Sequence, residues 1–417
     1  MSDEVNWAGN VHYASTRIAR PTTIDEAREL VAGADAVKAL GSRHSFTGIA
    51  DTSGIHISLA DLDVPIRIDA ARQRVRVGGG VRYGELAQYL EQHGWALANL
   101  ASLPHISVAG AISTGTHGSG VGVPSLAAAV TGLELLTSAG DLVVFSDGDP
   151  DLPGAVVGLG ALGLVTTVEL AIEPTFEVAQ TVYEQIPFDA VTTGFDEIMG
   201  SAYSASLFTT LRDDAVVDQV WRKARTDAAQ TPLPAALIDR EAAGPRHPLP
   251  EVSAAACTVQ GGTPGPWLDR LPHFRLEFTP SNGDELQSEF LVPHEHGPAT
   301  LAAVRELAEQ LRPVLQVCEV RRIAADGLWL SPSYDRDSVA FHFTWTSDGD
   351  GVARVLPDLE AALAPFSPRP HWGKVFTPRP VEAWAELYPQ WRRFRELRNR
   401  LDARGAFRND FLRGLGL

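Results

Sequence analysis

The chain has 417 residues, room for two or three domains of ordinary size, and a formal net charge of −17 spread along its length. A body this negative repels phosphate backbones, and the densest basic run, Arg392 to Arg400, reads as the outer face of a late helix, so no nucleic-acid partner is expected. Hydrophobic residues at 44% and charged residues at 21% exclude disorder; Cys257 and Cys318 are too few for a disulfide framework or a four-thiolate zinc site, and no metal is expected. The first residues lack a basic, apolar leader pattern, and the most apolar stretch, 154–172, is broken by glycines, threonines and Glu169. The expectation is a cytoplasmic protein with no membrane partner and, in the absence of an evident apolar stripe, a monomer.

In chain order, apolar residues at Ile24, Ala27, Leu30 and Val31 predict a helix over 23–32, capped by Thr22 or Thr23 with Glu26 behind it. Ala36 to Leu40 reads as a strand that stops at Gly41. Residues 65–69 and 74–77 alternate around a four-residue turn, a hairpin pattern, and Gly78-Gly79-Gly80 leads into a helix from Tyr83 to about His93. A second hairpin turns at Ala139-Gly140-Asp141, and 163–170 is strand-like. Beyond Pro174 strand-like segments dominate to about residue 370, with a helix over 298–311; a helix over 381–401 closes the chain. Strand, helix and strand followed by a strand-rich block argue an α+β protein.

Arg76 to Gly84 has the look of strand, glycines and helix, but the third glycine of a dinucleotide fingerprint would fall on Tyr83, so a tight turn is the better reading. Gly373-Lys374 is no phosphate loop either, because Pro368 stands where its first glycine belongs. Two loops are richer: Gly41-Ser42-Arg43-His44-Ser45-Phe46, and Ser102 through Gly120 with its glycines, hydroxyls, His105 and His117. Each alone reads equally as a turn. Together they have the backbone amides to hold two phosphates.

In the later half, Gln287 and Glu289, Glu319 and Arg321, and His342 and Thr344 are each two apart, so each pair shares one face of a strand. Leu286, Phe290, Cys318, Val320, Phe341 and Phe343 fall on the opposite face. Such alternation commonly means a solvated polar face; buried beside a cofactor, the same face suits a ligand rich in hydroxyls.

Taken over nearly its whole length, in Asn6 to Asn10, Gly41–Phe46, Val75–Gly84, Ser102–Gly120, Gly160–Thr166, Glu319–Arg321, His371–Phe376 and Arg408–Phe411, the sequence resembles the vanillyl-alcohol oxidase superfamily of flavoproteins, and within it the alditol (xylitol) oxidases beside the sugar-lactone oxidases. The resemblance implies an FAD-binding domain over 1–178, completed by 372–417, and a substrate-binding cap over 179–371 built on an antiparallel sheet. It implies FAD held by Ala39, Leu40, Gly41, Ser42, Arg43, His44, Ser45, Ser102, Ser107, Gly110, Thr114, Gly115, Thr116, His117, Gly163, Val165, Thr166 and His371, with His44 covalently attached to the flavin. It implies a small polyol, oxidised at its terminal primary alcohol with dioxygen as acceptor, bound by Ser102, Gln287, Glu319, Arg321, Thr344 and Lys374, of which Arg321 and Lys374 are catalytic. The alternative substrate is an aldono-1,4-lactone. Arg43 stands where the wider superfamily often has glycine: a positive φ there strains it, and otherwise its guanidinium is available to a phosphate.

Overall fold

A computed structural model describes residues 4–229, 231–278 and 283–417. The first helix, Ile24–Gly33, begins at Thr23, whose hydroxyl accepts from the Glu26 amide while the Glu26 carboxylate accepts from the Thr23 amide, the reciprocal cap the sequence predicts. Three short strands, Ile18–Ala19, Val37–Ala39 and Ile55–Ile57, pair in parallel with the last of these in the middle. Both predicted hairpins form. They join Leu164–Ala171 in a five-stranded antiparallel sheet ordered Arg67–Asp69, Arg74–Gly78, Leu164–Ala171, Val130–Leu136, Leu142–Ser146.

The largest described sheet draws all eight of its strands from between Glu177 and Pro370, and every neighbouring pair is antiparallel. Its centre runs Val216–Arg225, Ser204–Thr209, Leu315–Ile323, Ser338–Thr346, Glu285–Pro293. One face carries Leu286, Phe290, Cys318, Val320, Phe341 and Phe343 into a single buried cluster beneath the Gly297–Glu306 and Gly349–Leu363 helices, as the alternation requires. Each such aromatic contributes about 1.5–3 kcal/mol of burial free energy. That leaves the opposite face free for polar side chains.

Three helical expectations need correction, the first being the single helix over 298–311, which is two, Gly297–Glu306 and Ala308–Leu311, parted at Leu307 (φ −90°, ψ 6°). Gly349–Leu363 is a full helix where the sequence pattern predicts none, because Pro357 and two glycines interrupt its helical signal. Asp348 caps it by accepting from the Gly351 amide, and Val352, Leu356, Leu359 and Leu363 form its buried stripe. The predicted 381–401 helix is two helices, Val381–Leu387 and Trp391–Leu401. Pro389 disfavours helical geometry at the residue before it, and Tyr388 is extended (φ −121°, ψ 101°). The aromatics of this C-terminal piece, Trp384, Tyr388, Trp391 and Phe394, enter the same core as Val75, Val77 and Val168 of the five-stranded sheet. Among the described residues no helix is long and apolar enough to cross a membrane.

Candidate active site

A cavity of about 390 Å³ lies between the loops of the first half and the polar face of the eight-stranded sheet. It is lined by all the residues expected at cofactor or substrate except Gly115 and Thr166. Gly115 sits behind the lining with φ 70°, beside Pro332. Thr166 is fully buried, its hydroxyl donating to the Glu134 carbonyl and its own carbonyl accepting from Gly79.

The loop wall is made mostly of backbone and small side chains. The two loops meet directly, since the Ser107 amide donates to Ser42 Oγ at 3.2 Å, and a Cβ on Gly41 would lie 2.6 Å from Ser107 Oγ. Gly80 lines the cavity at a turn where a Cβ would lie 2.0 Å from the Leu59 carbonyl oxygen, so only glycine fits. The N-terminal segment clamps the histidine loop: Asn6 and Asn10 donate to the carbonyls of Ser45 and Phe46, each at 2.9 Å, and Trp7 stacks on His44. His44 Nδ1 is buried with no hydrogen-bond partner, and burial, reinforced by Lys374 and His105, pushes the imidazole down to about 4, so it is neutral. Both readings of Arg43 are resolved. Its φ is 64°, the left-handed region that disfavours a side chain, and its guanidinium pairs with Glu4 at 2.6 Å.

The sheet wall is made of charge. Register sets Glu319, His342 and Glu289 side by side on three adjacent strands, with Val317, Thr344 and Gln287 in the next row. Arg321 binds Glu289 at 2.5 Å, lies 3.7 Å from Glu319 and reaches Ser102 Oγ at 3.5 Å. Glu289 is also 3.2 Å from His117 and 3.3 Å from His342. Burial opposes the charge of both carboxylates, but Arg321 and the neighbouring histidines outweigh it and hold both below the usual carboxylate range. The Trp372–Lys374 turn is tied on two sides, Phe46 donating to the Gly373 carbonyl and Val375 to the Gln287 carbonyl. This places Lys374 Nζ on the Gln287 side-chain oxygen and over the Phe46 ring. Burial pushes Lys374 down to about 8.

Glu289 was visible in the sequence only as a strand neighbour of Gln287; its place as the main partner of Arg321 comes from cross-strand register. His273, which lines the cavity beside Glu319, and Lys223, which holds its other ring nitrogen, carry no signal in the sequence. Lys223 lies in a basic, alternating strand that looks like a surface edge, yet it is 1% exposed.

An FAD binding domain matches residues 15–146, and a D-arabinono-1,4-lactone oxidase family matches residues 283–415. Alditol oxidase of a Streptomyces species is 48% identical over 413 residues, covering 98% of both chains. The chain belongs to the alditol oxidase family. It is a flavin-dependent oxidoreductase, and the loop wall, with its glycines and small side chains, is the part of the cavity that would take FAD. The L-gulono-1,4-lactone dehydrogenase of Mycobacterium tuberculosis is more distant, 29% identical over 98% of this chain and 97% of its own. Cholesterol oxidase from B. sterolicum shares the fold, with a TM-score of 0.78 at 15% identity over 99% of this chain and 96% of the other. The flavoprotein fold expected from the resemblance is therefore the fold observed.

Proposed function

We propose that this protein oxidises the terminal primary alcohol of alditols of xylitol or sorbitol size to the aldose, with FAD as the immediate acceptor and dioxygen reduced to hydrogen peroxide. The observation that carries the reading is the polar wall: Gln287, Glu319, Arg321, Thr344 and Lys374 all line one cavity, in a chain 48% identical to an alditol oxidase. FAD, held by the Gly41–Ser45 and Ser107–His117 loops, would supply a two-electron acceptor that dioxygen can reoxidise. The chain's own residues do the rest. Glu319 accepts hydrogen bonds from vicinal hydroxyls, Gln287, Thr344 and Ser102 complete the hydroxyl contacts, and Arg321 holds positive potential beside the reacting oxygen. Lys374, with its pKa lowered by burial, takes the hydroxyl proton in its neutral form. His342 and His117 orient Glu289, which in turn holds Arg321.

The same reading assigns the cofactor to a unit of residues 1–178 with 372–417 and the polyol to the cap, 179–371, in a cytoplasmic monomer. His44 is the proposed point of covalent attachment to the flavin 8-methyl carbon. Its neutral imidazole, with Nδ1 unpartnered, is a competent nucleophile, and formation of the N–C bond releases two protons and two electrons, which dioxygen accepts. Acid-precipitated protein then stays yellow, whereas His44→Ala binds FAD that acid releases; a colourless precipitate from the unmodified protein refutes the tether.

Peroxide release tests the substrate. Xylitol and sorbitol are expected to be oxidised with higher kcat/KM than glycerol, because each missing hydroxyl leaves buried polar groups unpaired at about 1–3 kcal/mol apiece. The lactone-oxidase match over 283–415 makes a galactonolactone the comparison substrate, and preference for it over xylitol would overturn the polyol reading.

A further inference from the structure

Beside Glu319, His273 lines the same cavity and begins a buried chain of polar groups that the proposed reaction does not use. His273 Nε2 lies 2.8 Å from Glu319 Oε1, and His273 Nδ1 lies 3.1 Å from Lys223 Nζ. Lys223 also donates to the backbone carbonyls of Leu271 and Pro272. An ammonium has three donors and no acceptor, so these three partners use it completely. The His273 backbone is fixed as well: its amide donates to the carbonyl of Ser102, and its carbonyl accepts from Thr258. Phe208 and Trp221 meet the ring edge-on at 5.5 and 5.2 Å and fix its plane.

We infer that Lys223 and His273 are positioning residues that set the hydrogen-bonding role of Glu319. Because the ammonium can only donate, Nδ1 must be the acceptor and the ring proton must sit on Nε2. That proton is donated to Glu319 Oε1. Glu319 is thereby kept as a carboxylate with one oxygen occupied and the other presented as an acceptor to a substrate hydroxyl. The reverse tautomer would aim an Nε2 lone pair at the carboxylate and force it to turn or take up a proton. The inference rests on the polyol reading for its substrate, but the tautomer itself does not.

The charged and titratable groups facing this pair are Glu319, Arg321 and Cys257. Burial pushes His273 down to about 4, with Lys223 pushing the same way, so the ring is neutral at working pH. Burial also pushes Lys223 down to about 7, with Glu319 pulling it back up, so the carboxylate helps to hold the cation that orders its own partner.

Two readouts test this. Nitrogen NMR of the holoenzyme carrying nitrogen-15 histidine, recorded below neutrality, should show a neutral Nε2–H tautomer that His273→Gln removes; an Nδ1–H tautomer overturns the inference. In kinetics, Gln at 273 carries its amide nitrogen where Nε2 was and should keep the KM for xylitol within about threefold, whereas His273→Asn, with its donor on the Lys223 side, should raise KM about tenfold with a smaller change in kcat. Lys223→Met should raise KM about tenfold in the wild-type background and less than about twofold on top of His273→Gln, where no tautomer remains to be set. Equal KM values for the Gln and Asn variants, or an equal penalty for Lys223→Met in both backgrounds, would reduce the pair to packing. If Lys223→Met does not fold, the NMR and the Gln–Asn comparison still decide. If the wild type ignores xylitol, the polyol reading fails while the tautomer measurement stands.

Discussion

One wall of the cavity, from Ala39 to Ser45 and from Ser107 to His117, presents backbone and small residues; the other presents Gln287, Glu289, Glu319, Arg321 and Thr344 from neighbouring antiparallel strands. The first wall owes its shape to side chains that are missing, as at Gly41 and Gly80, and it tolerates deletion better than addition. The second is a network of buried charges in which each member lowers the cost of the others, so deletion is what harms it. A cofactor that stays bound from one turnover to the next can be held by many weak backbone contacts. A substrate that must bind and leave needs a few strong groups fixed in advance.

The largest effect should follow from breaking the charged wall at its centre. Glu289→Ala leaves Arg321 without its 2.5 Å partner, and removal of one member of a buried pair costs about 3–5 kcal/mol. Chemical denaturation of the holoenzyme should show that loss, with Glu289→Gln retaining part of the stability; an unchanged midpoint for Glu289→Ala would mean that water or Glu319 replaces the lost carboxylate.

Next comes Lys374. Lys374→Met should keep its flavin and lose about 10²–10⁴-fold in kcat/KM, the usual worth of one positioned general base. On the proposed role, in which the neutral amine accepts the hydroxyl proton, kcat/KM of the wild type should rise as pH increases through about 8, where Lys374 loses its proton. Lys374→Arg, cationic throughout, should lack that limb. A profile that falls through the same range would make Lys374 a cationic donor instead.

A smaller change is expected from adding one methyl group to the other wall. Gly80→Ala collides with the Leu59 carbonyl and should cost about 1–3 kcal/mol, seen as a lower FAD-to-protein ratio. The few molecules that retain flavin should turn over xylitol normally, because the charged wall is untouched. Full FAD occupancy in this variant would show that the loop wall is not tightly shaped around its ligand.

Much of both walls was legible in the sequence, for different reasons. The polar pairs on the strands could be read because their opposite face packs Leu286, Phe290, Cys318, Val320, Phe341 and Phe343 into a core, and a buried face fixes register. The loops could be read from their density of small residues. What local pattern could not give was the partner across strands. Glu289 meets Arg321 over 32 residues of chain and Lys223 meets His273 over 50. Nor did it give the direction of the Arg43 guanidinium, which depends on where Glu4 returns. The 349–363 helix was hidden by its own proline, and the 381–401 pattern concealed the break that Pro389 imposes.

The division of labour between the walls is tested most directly by anaerobic flavin bleaching, in which xylitol is mixed with the wild type and with Lys374→Met and the yellow absorbance is followed without oxygen. The expected result is rapid loss of colour in the wild type and a colour that persists in Lys374→Met despite full flavin content. Loss of colour at the same rate in both proteins, or bleaching of the wild type by a galactonolactone and not by xylitol, would contradict it.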